Sequence, residues 1–189
     1  MGKIFYKSIK KCNLERMLRE MKLKSLSLSS VFLAIGFILH QVTPPLFLGM
    51  KPDFLLIMMF VSIYLVDNYK SAIIIGICSG VLTAMTTTFP GGQLPNFIDK
   101  IITCQIVYFL FKILNNKFRK NINIVIVSLI GTFISGSIFL GSAFYIVGIS
   151  ASFKTLLFSV VLPATLFNAC VSFLLFKIVL TALTYSKSA

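Results

Sequence analysis

The chain has 189 residues, 57% of them hydrophobic and 12% charged, and its 18 Lys and Arg against 5 acids give a formal net charge of +13. Soluble domains carry about 25% charged side chains, so this chain has too few polar groups to cover a water-facing surface. A soluble enzyme, a disordered tail and a disulfide-stapled secreted domain are excluded, and a bundle embedded in the lipid bilayer is expected.

Eight of the 18 basic residues fall within residues 1–24: Lys3, Lys7, Lys10, Lys11, Arg16, Arg19, Lys22 and Lys24. A nucleic-acid reader spreads its cations over a folded face, so this clustering marks a cytoplasmic membrane flank instead, and no nucleic-acid partner is expected. Leu14, Met17, Leu18 and Met21 recur at helical spacing, as in a short helix lying on the inner leaflet. A basic anchor without fixed structure reads the same residues equally well. A cleaved signal peptide is not expected, because the apolar run that follows is long and no small-x-small site ends it cleanly.

Beyond residue 24, charges are sparse enough to act as punctuation. The tracts between them, divided further by Pro and Gly, predict six helices at roughly 25–43, 52–69, 71–88, 97–114, 122–147 and 156–183. A spanning helix takes about 20 apolar residues, whereas a barrel strand alternates over about 10. These runs are apolar throughout, which predicts an all-α integral membrane protein with a six-helix domain over 25–189. With the N-terminus inside, 15 basic residues lie on the inner side and three (Lys51, Lys100, Lys154) on the outer side. The positive-inside rule therefore places both termini in the cytoplasm.

Several chemistries have no parts here. Cys12, Cys78, Cys104 and Cys170 are widely separated and form no CxxC or Cys/His pairing, so no metal and no cofactor are expected. GxxxxGK[ST], HExxH and a Ser/His/Asp set are also missing, so the chain reads as neither an ATPase nor an enzyme.

The second and fourth helices carry the polar chemistry. Only 13 uncharged residues separate Asp53 from Asp67, and only 11 separate Lys100 from Lys112. Neither stretch alone crosses about 30 Å of hydrocarbon at 1.5 Å per residue. To span, these helices must take Lys51, Asp53, Asp99 and Lys100 into the membrane, where charges are costly unless paired or facing a wet cavity. All four lie at outer ends, so an outward-facing polar pocket is expected. The loops there, His40 to Asp53 and Phe89 to Lys100, hold five of the six prolines and the amides Gln93 and Asn96.

Structural roles compete for the same residues. Asn96 reads as an N-cap with Asp99 in the first turn, and Pro52 suits the first position of helix 2 with Asp53 beside it. Capping does not account for Lys51 and Lys100 at positive helix ends, which call for an anion, a carboxylate or, by snorkelling, lipid phosphate. Asn168, mid-helix after Pro163, needs a partner in hydrocarbon: an interhelical hydrogen bond or a ligand. His40 reads as a helix-end hydrogen bonder or a ligand donor. Gly131, Ser135, Gly136, Ser137 and Gly141 predict close helix packing along the fifth helix.

On these loops the chain resembles a known family. The stretch His40 to Pro45, the run Gly49-Met50-Lys51-Pro52-Asp53 and the long motif Thr86 to Lys100 are similar to the tryptophan-transporter family TrpP. Gly131 to Gly136 and Val161-Leu162-Pro163-Ala164 match its later helices, so the resemblance covers roughly residues 25–180. The family is in turn similar to the substrate-binding S components of energy-coupling factor (ECF) transporters, six-helix proteins with cytoplasmic termini in the bacterial cell membrane. It implies partnership with a transmembrane T subunit and two ATPase subunits, met through small residues four apart on helix 1. Ser30 and Ala34 occupy that place, with Ser where Ala is usual, and any such pair can equally be internal packing.

Tryptophan as the implied substrate makes sense of the pocket inventory. Its ammonium needs a carboxylate (Asp99 or Asp53), its carboxylate a cation (Lys100 or Lys51), and its indole N–H an acceptor such as Gln93 or Asn168. The ring needs walls, for which Phe89, Phe97 and Tyr145 lie near the right depth. Which carboxylate and which lysine act is open at this level. Other readings are an S component for another small solute such as a vitamin, a non-transporting envelope scaffold, and an intramembrane enzyme.

Overall fold

A computed structural model describes residues 23–44, 52–66, 68–114, 119–149 and 152–188. Most of the basic N-terminal segment, together with Lys51, Asp67 and Cys12, lies outside the described residues. Six helices are present among those described: α1 (Leu23–Val42), α2 (Phe54–Leu65), α3 (Tyr69–Thr86), α4 (Gln93–Leu114), α5 (Lys120–Val147) and α6 (153–188). The α6 run joins Phe153–Leu156, a π turn at Leu157–Val161, and Leu162–Ser188. Helices α1, α3, α5 and α6 are long and apolar enough to cross a bilayer. The chain is an all-α, multi-pass membrane protein.

The short helix is the innermost. All nine residues from Leu55 to Ile63 are buried, so α2 is apolar on every side because every side meets protein. It packs against α3, α4, α5 and α6, and against α1 where Met58 abuts Gly36. At its far end, Tyr64 stands edge-on to Phe111 of α4 and Phe176 of α6, with ring centroids 5.4 and 4.9 Å away. Its 12 residues cover only about 18 Å at 1.5 Å per residue. A helix that short does not by itself cross about 30 Å of hydrocarbon.

Lipid tails are as apolar as Leu, so burial from water does not hold such helices together; close van der Waals contact and interhelical hydrogen bonds do. Glycines mark the closest approaches. A Cβ on Gly76 would collide with Cys104 Sγ, and one on Gly80 would lie 3.0 Å from the Phe97 ring. This Gly-xxx-Gly pair lets α4 settle onto α3. Gly131 faces Phe60 and Val107, and Gly136 faces Val161 of α6. The expected tight packing of α5 is thus found at those two positions, whereas Gly141 faces open space.

Two element boundaries differ from the sequence expectation. Helix α4 begins at Gln93 rather than near 97, so Asn96 is its fourth residue and its backbone N–H already bonds to the Gly92 carbonyl at 2.9 Å. Asn96 is therefore not the N-cap. Pro95 permits the earlier start, because a first-turn residue needs no N–H donor. Before it, Gly92 N–H donates to the Phe89 carbonyl at 2.9 Å around Pro90 and Gly91, and Gly91 has φ +72°. Pro second and a positive-φ Gly third is the pattern of a type II turn. In α2, Asp53 is the N-cap and Pro52 precedes it, so Pro52 is not the first helical residue.

The π turn has an equally local cause. Pro163 has no N–H to offer the Ser159 carbonyl, and its ring would clash there. The chain widens by one residue instead, with Leu162 N–H reaching back to the Leu157 carbonyl.

Candidate functional site

Asp53 and Lys100, 47 residues apart in sequence, meet at the buried N-terminus of α2. Lys100 Nζ donates to Asp53 Oδ2 at 3.0 Å, to Asp99 Oδ2 at 2.8 Å and to Ser135 Oγ at 3.4 Å. Its side chain is 2% exposed. Burial of the lysine follows from α3, since Gly80 presents no side chain and the Lys100 Cβ packs close to it. Lys100 lies seven residues into α4, or about 10 Å below the start of that helix.

Asp99 is enclosed. Thr103 donates to its Oδ1 at 2.8 Å, and Ser135 donates to its Oδ2 at 2.8 Å beside the lysine. Thr103 stands one turn along the same face of α4, and Ser135 reaches across from α5. Removing charges from solvent costs several kcal/mol per ion unless geometry and extra hydrogen bonds compensate. Here three donors fall on the Asp99 carboxylate and three acceptors surround one ammonium.

Asp53 is the open member of the cluster. Its Oδ1 caps α2 by accepting from Leu56 N–H at 2.9 Å, and its side chain is 27% exposed. His40, near the end of α1, brings Nδ1 to 3.9 Å from the same oxygen. Asn168 Oδ1 accepts the backbone N–H of Asp53 at 3.2 Å. This is the interhelical hydrogen bond that a buried Asn requires. The Asn168 carbonyl also receives Ser128 Oγ at 3.4 Å, and Ser128 shares a 2.7 Å hydrogen bond with Ser172. Helix α6 is thereby fastened to α2 beside the ions and to α5 about two turns away from Ser135.

Of the residues singled out from sequence, His40, Asp53, Asp99, Lys100 and Asn168 converge on one cluster. Gln93 is exposed and Asn96 half-buried in the first turn of α4, and no described hydrogen bond joins either side chain to the ions. Lys51 lies outside the described residues. Tyr145 is 95% exposed, so it does not wall this site. Phe89 instead stacks edge-on against Phe139, with centroids 5.5 Å apart. Phe139 stands one turn beyond Ser135 on the same face of α5.

Sequence reasoning overlooked Thr103, Phe139 and the ion-binding role of Ser135. Thr103 did leave a signal, four residues after Asp99 and hence on its face. Ser135 was hidden among small residues that pack. No cluster of three or more His, Cys, Asp or Glu able to hold a metal occurs among the described residues.

The family model described as "Tryptophan transporter TrpP" matches residues 22–184, which takes in every helix of the cluster. The chain belongs to the TrpP family. Among its relatives, a probable tryptophan transport protein of Clostridium acetobutylicum is 51% identical over 156 residues, covering 82% of this chain and 91% of the relative. Proteins of the same name from Clostridium perfringens and Bacillus subtilis are 44% and 43% identical, covering 82% and 88% of this chain and 91% and 96% of the relatives. These relatives are named as transport proteins, in keeping with a TrpP-family chain read as a non-enzyme. No solved structure matches the chain.

Proposed function

We propose that this TrpP-family protein is the substrate-binding S component of an ECF-type transporter that takes up tryptophan across the bacterial cell membrane. The observation that carries the reading is the Asp53–Lys100–Asp99 cluster at the enclosed N-terminus of α2. A zwitterion needs one anion and one cation within a few ångströms of each other, in a place dry enough for both contacts to count. The cluster supplies both, with His40 and Asn168 beside them and the Phe89–Phe139 pair as a stacking surface. The names of the relatives support tryptophan as the amino acid. The excess of basic residues on one side supports a site that opens outward.

The energising module is a T subunit with two ATPase subunits, and α1 offers it a surface. Ser30 and Ala34 are exposed and line a groove of about 520 Å³ between α1 and α3, together with Leu33, Ile75 and Cys78. Small residues four apart allow a partner helix to approach closely. Calorimetric titration of the purified protein should give saturable tryptophan binding that vitamins do not compete away. Ala34→Trp should keep that binding while abolishing uptake in cells. Absence of tryptophan binding overturns the substrate reading, and unimpaired uptake by Ala34→Trp overturns the docking face.

A further inference from the structure

The two carboxylates of the cluster do not have equivalent surroundings. Asp99 is 1% exposed, with Thr103 on one oxygen and both Lys100 and Ser135 on the other. Asp53 is 27% exposed, and among the described residues Lys100 is the one hydrogen-bond donor to its Oδ2. Lys100 therefore has one hand on an enclosed anion and the other on an anion that a visitor can reach.

We propose that Lys100 is a tethered competitor for the substrate's ammonium: it holds Asp53 in the empty protein, an incoming ammonium displaces it there, and Asp99, Thr103 and Ser135 retain it beside the incoming carboxylate. The inference rests on the amino-acid-binding reading above and assigns the parts within it. Asp53 is the ligand residue, Lys100 the exchanging one, and Asp99 with its two hydroxyl partners the positioning set.

Charge bookkeeping explains why such an exchange selects a zwitterion. An ε-ammonium and an α-ammonium are both compact three-donor cations, and two of them crowded onto one carboxylate oxygen repel. When a zwitterion enters, the Lys100–Asp53 pair is replaced by two pairs, ammonium with Asp53 and carboxylate with Lys100. Lys100 then lies between the Asp99 and ligand carboxylates and keeps two anionic partners, and the net charge of the cluster is unchanged. An amine without a carboxylate leaves Lys100 paired with Asp99 alone, one charge-assisted hydrogen bond poorer and with no replacement. An acid without an amine reaches a lysine still committed to Asp53. The acid is thus rejected by the cost of a further buried anion without a free cation, and the amine is disfavoured by the hydrogen bond that Lys100 loses.

The test is a crossed set of titrations with tryptophan, tryptamine and indole-3-propionate against the wild-type protein, Lys100→Met and Asp53→Asn. In the wild type, tryptophan binds far more tightly than either half-ligand. Lys100→Met, which removes the competitor, strengthens tryptamine binding by about tenfold or more while weakening tryptophan, as expected for one charge-assisted hydrogen bond gained or lost. Asp53→Asn, which frees the lysine, strengthens indole-3-propionate and weakens tryptophan. Should Lys100→Met fail to fold, Asp53→Asn carries the test alone, because Asn is nearly isosteric and still caps a helix. A parallel loss of all three ligands in the variants, with normal tryptophan binding by the wild type, overturns the exchange and leaves the proposed function standing. Failure of the wild type to bind tryptophan overturns both.

Discussion

Asp99 and Ser135 show how a membrane interior accommodates charge. Asp99 meets an ammonium and two hydroxyls within 2.8 Å, and each removal has a different cost. Asp99→Ala leaves the buried Lys100 with Asp53 as its one carboxylate among the described residues and is expected to cost about 3 kcal/mol, as for removal of one partner from a buried ion pair. Ser135→Ala takes away one hydroxyl donor and is expected to cost about 1 kcal/mol. Thermal unfolding in detergent should rank the midpoints as wild type, Ser135→Ala, then Asp99→Ala, and the reverse order of the variants would show that the pair does not stabilise the fold. The charged members were legible in the sequence because helices 2 and 4 are too short between charges to span without burying them. The hydroxyls were not, because Ser and Thr in a membrane helix commonly bond their own preceding carbonyls, as Thr165 does with Val161. Tyr145 failed for a related reason: depth along α5 is readable from spacing, but which way the side chain faces depends on neighbours supplied by distant segments.

At the level of elements, α3 and α4 form the tightest seam, and Gly76 sets its closest approach. Gly76→Val places a side chain into Cys104 Sγ and is expected to destabilise the protein by about 1–3 kcal/mol through overpacking. Adding Cys104→Ala removes the sulfur and should restore part of that loss, leaving the 2.7 Å approach to the Cys104 Cβ. Midpoints for both singles and the double measure the coupling, and purely additive losses would mean that the two positions do not touch. Separating α3 from α4 would also loosen the Lys100 backbone, so the proposed binding site predicts a parallel loss of tryptophan affinity in Gly76→Val. Helix count and approximate limits could be read from the charge punctuation. The early start of α4 and the widened turn of α6 could not, because each depends on how one proline, Pro95 or Pro163, is accommodated locally, and a proline can open, bend or end a helix.

For the molecule as a whole, the excess of basic residues on one side is a statement about topology that labelling can check. In a variant lacking the four native cysteines, Lys154→Cys, exposed beside the start of α6, should react in intact cells with a membrane-impermeant maleimide. Lys24→Cys, exposed at the start of α1, should react only after permeabilisation. The opposite result would invert the protein and turn the ion cluster toward the cytoplasm. A membrane bundle follows from composition alone, whereas the central place of α2 needed the structure, because a uniformly apolar segment reads the same whether lipid or protein surrounds it. That central place has a consequence for the site. Hydrophobic mismatch acts on helices that touch acyl chains: α5, at 28 residues, and α6, whose apolar stretch Phe153–Tyr185 has 33, can absorb a thicker or thinner membrane by tilting. Sheathed by its neighbours, α2 has no such boundary to match, so Asp53 is shielded from the elastic state of the surrounding lipid and can keep its grip as membrane composition varies.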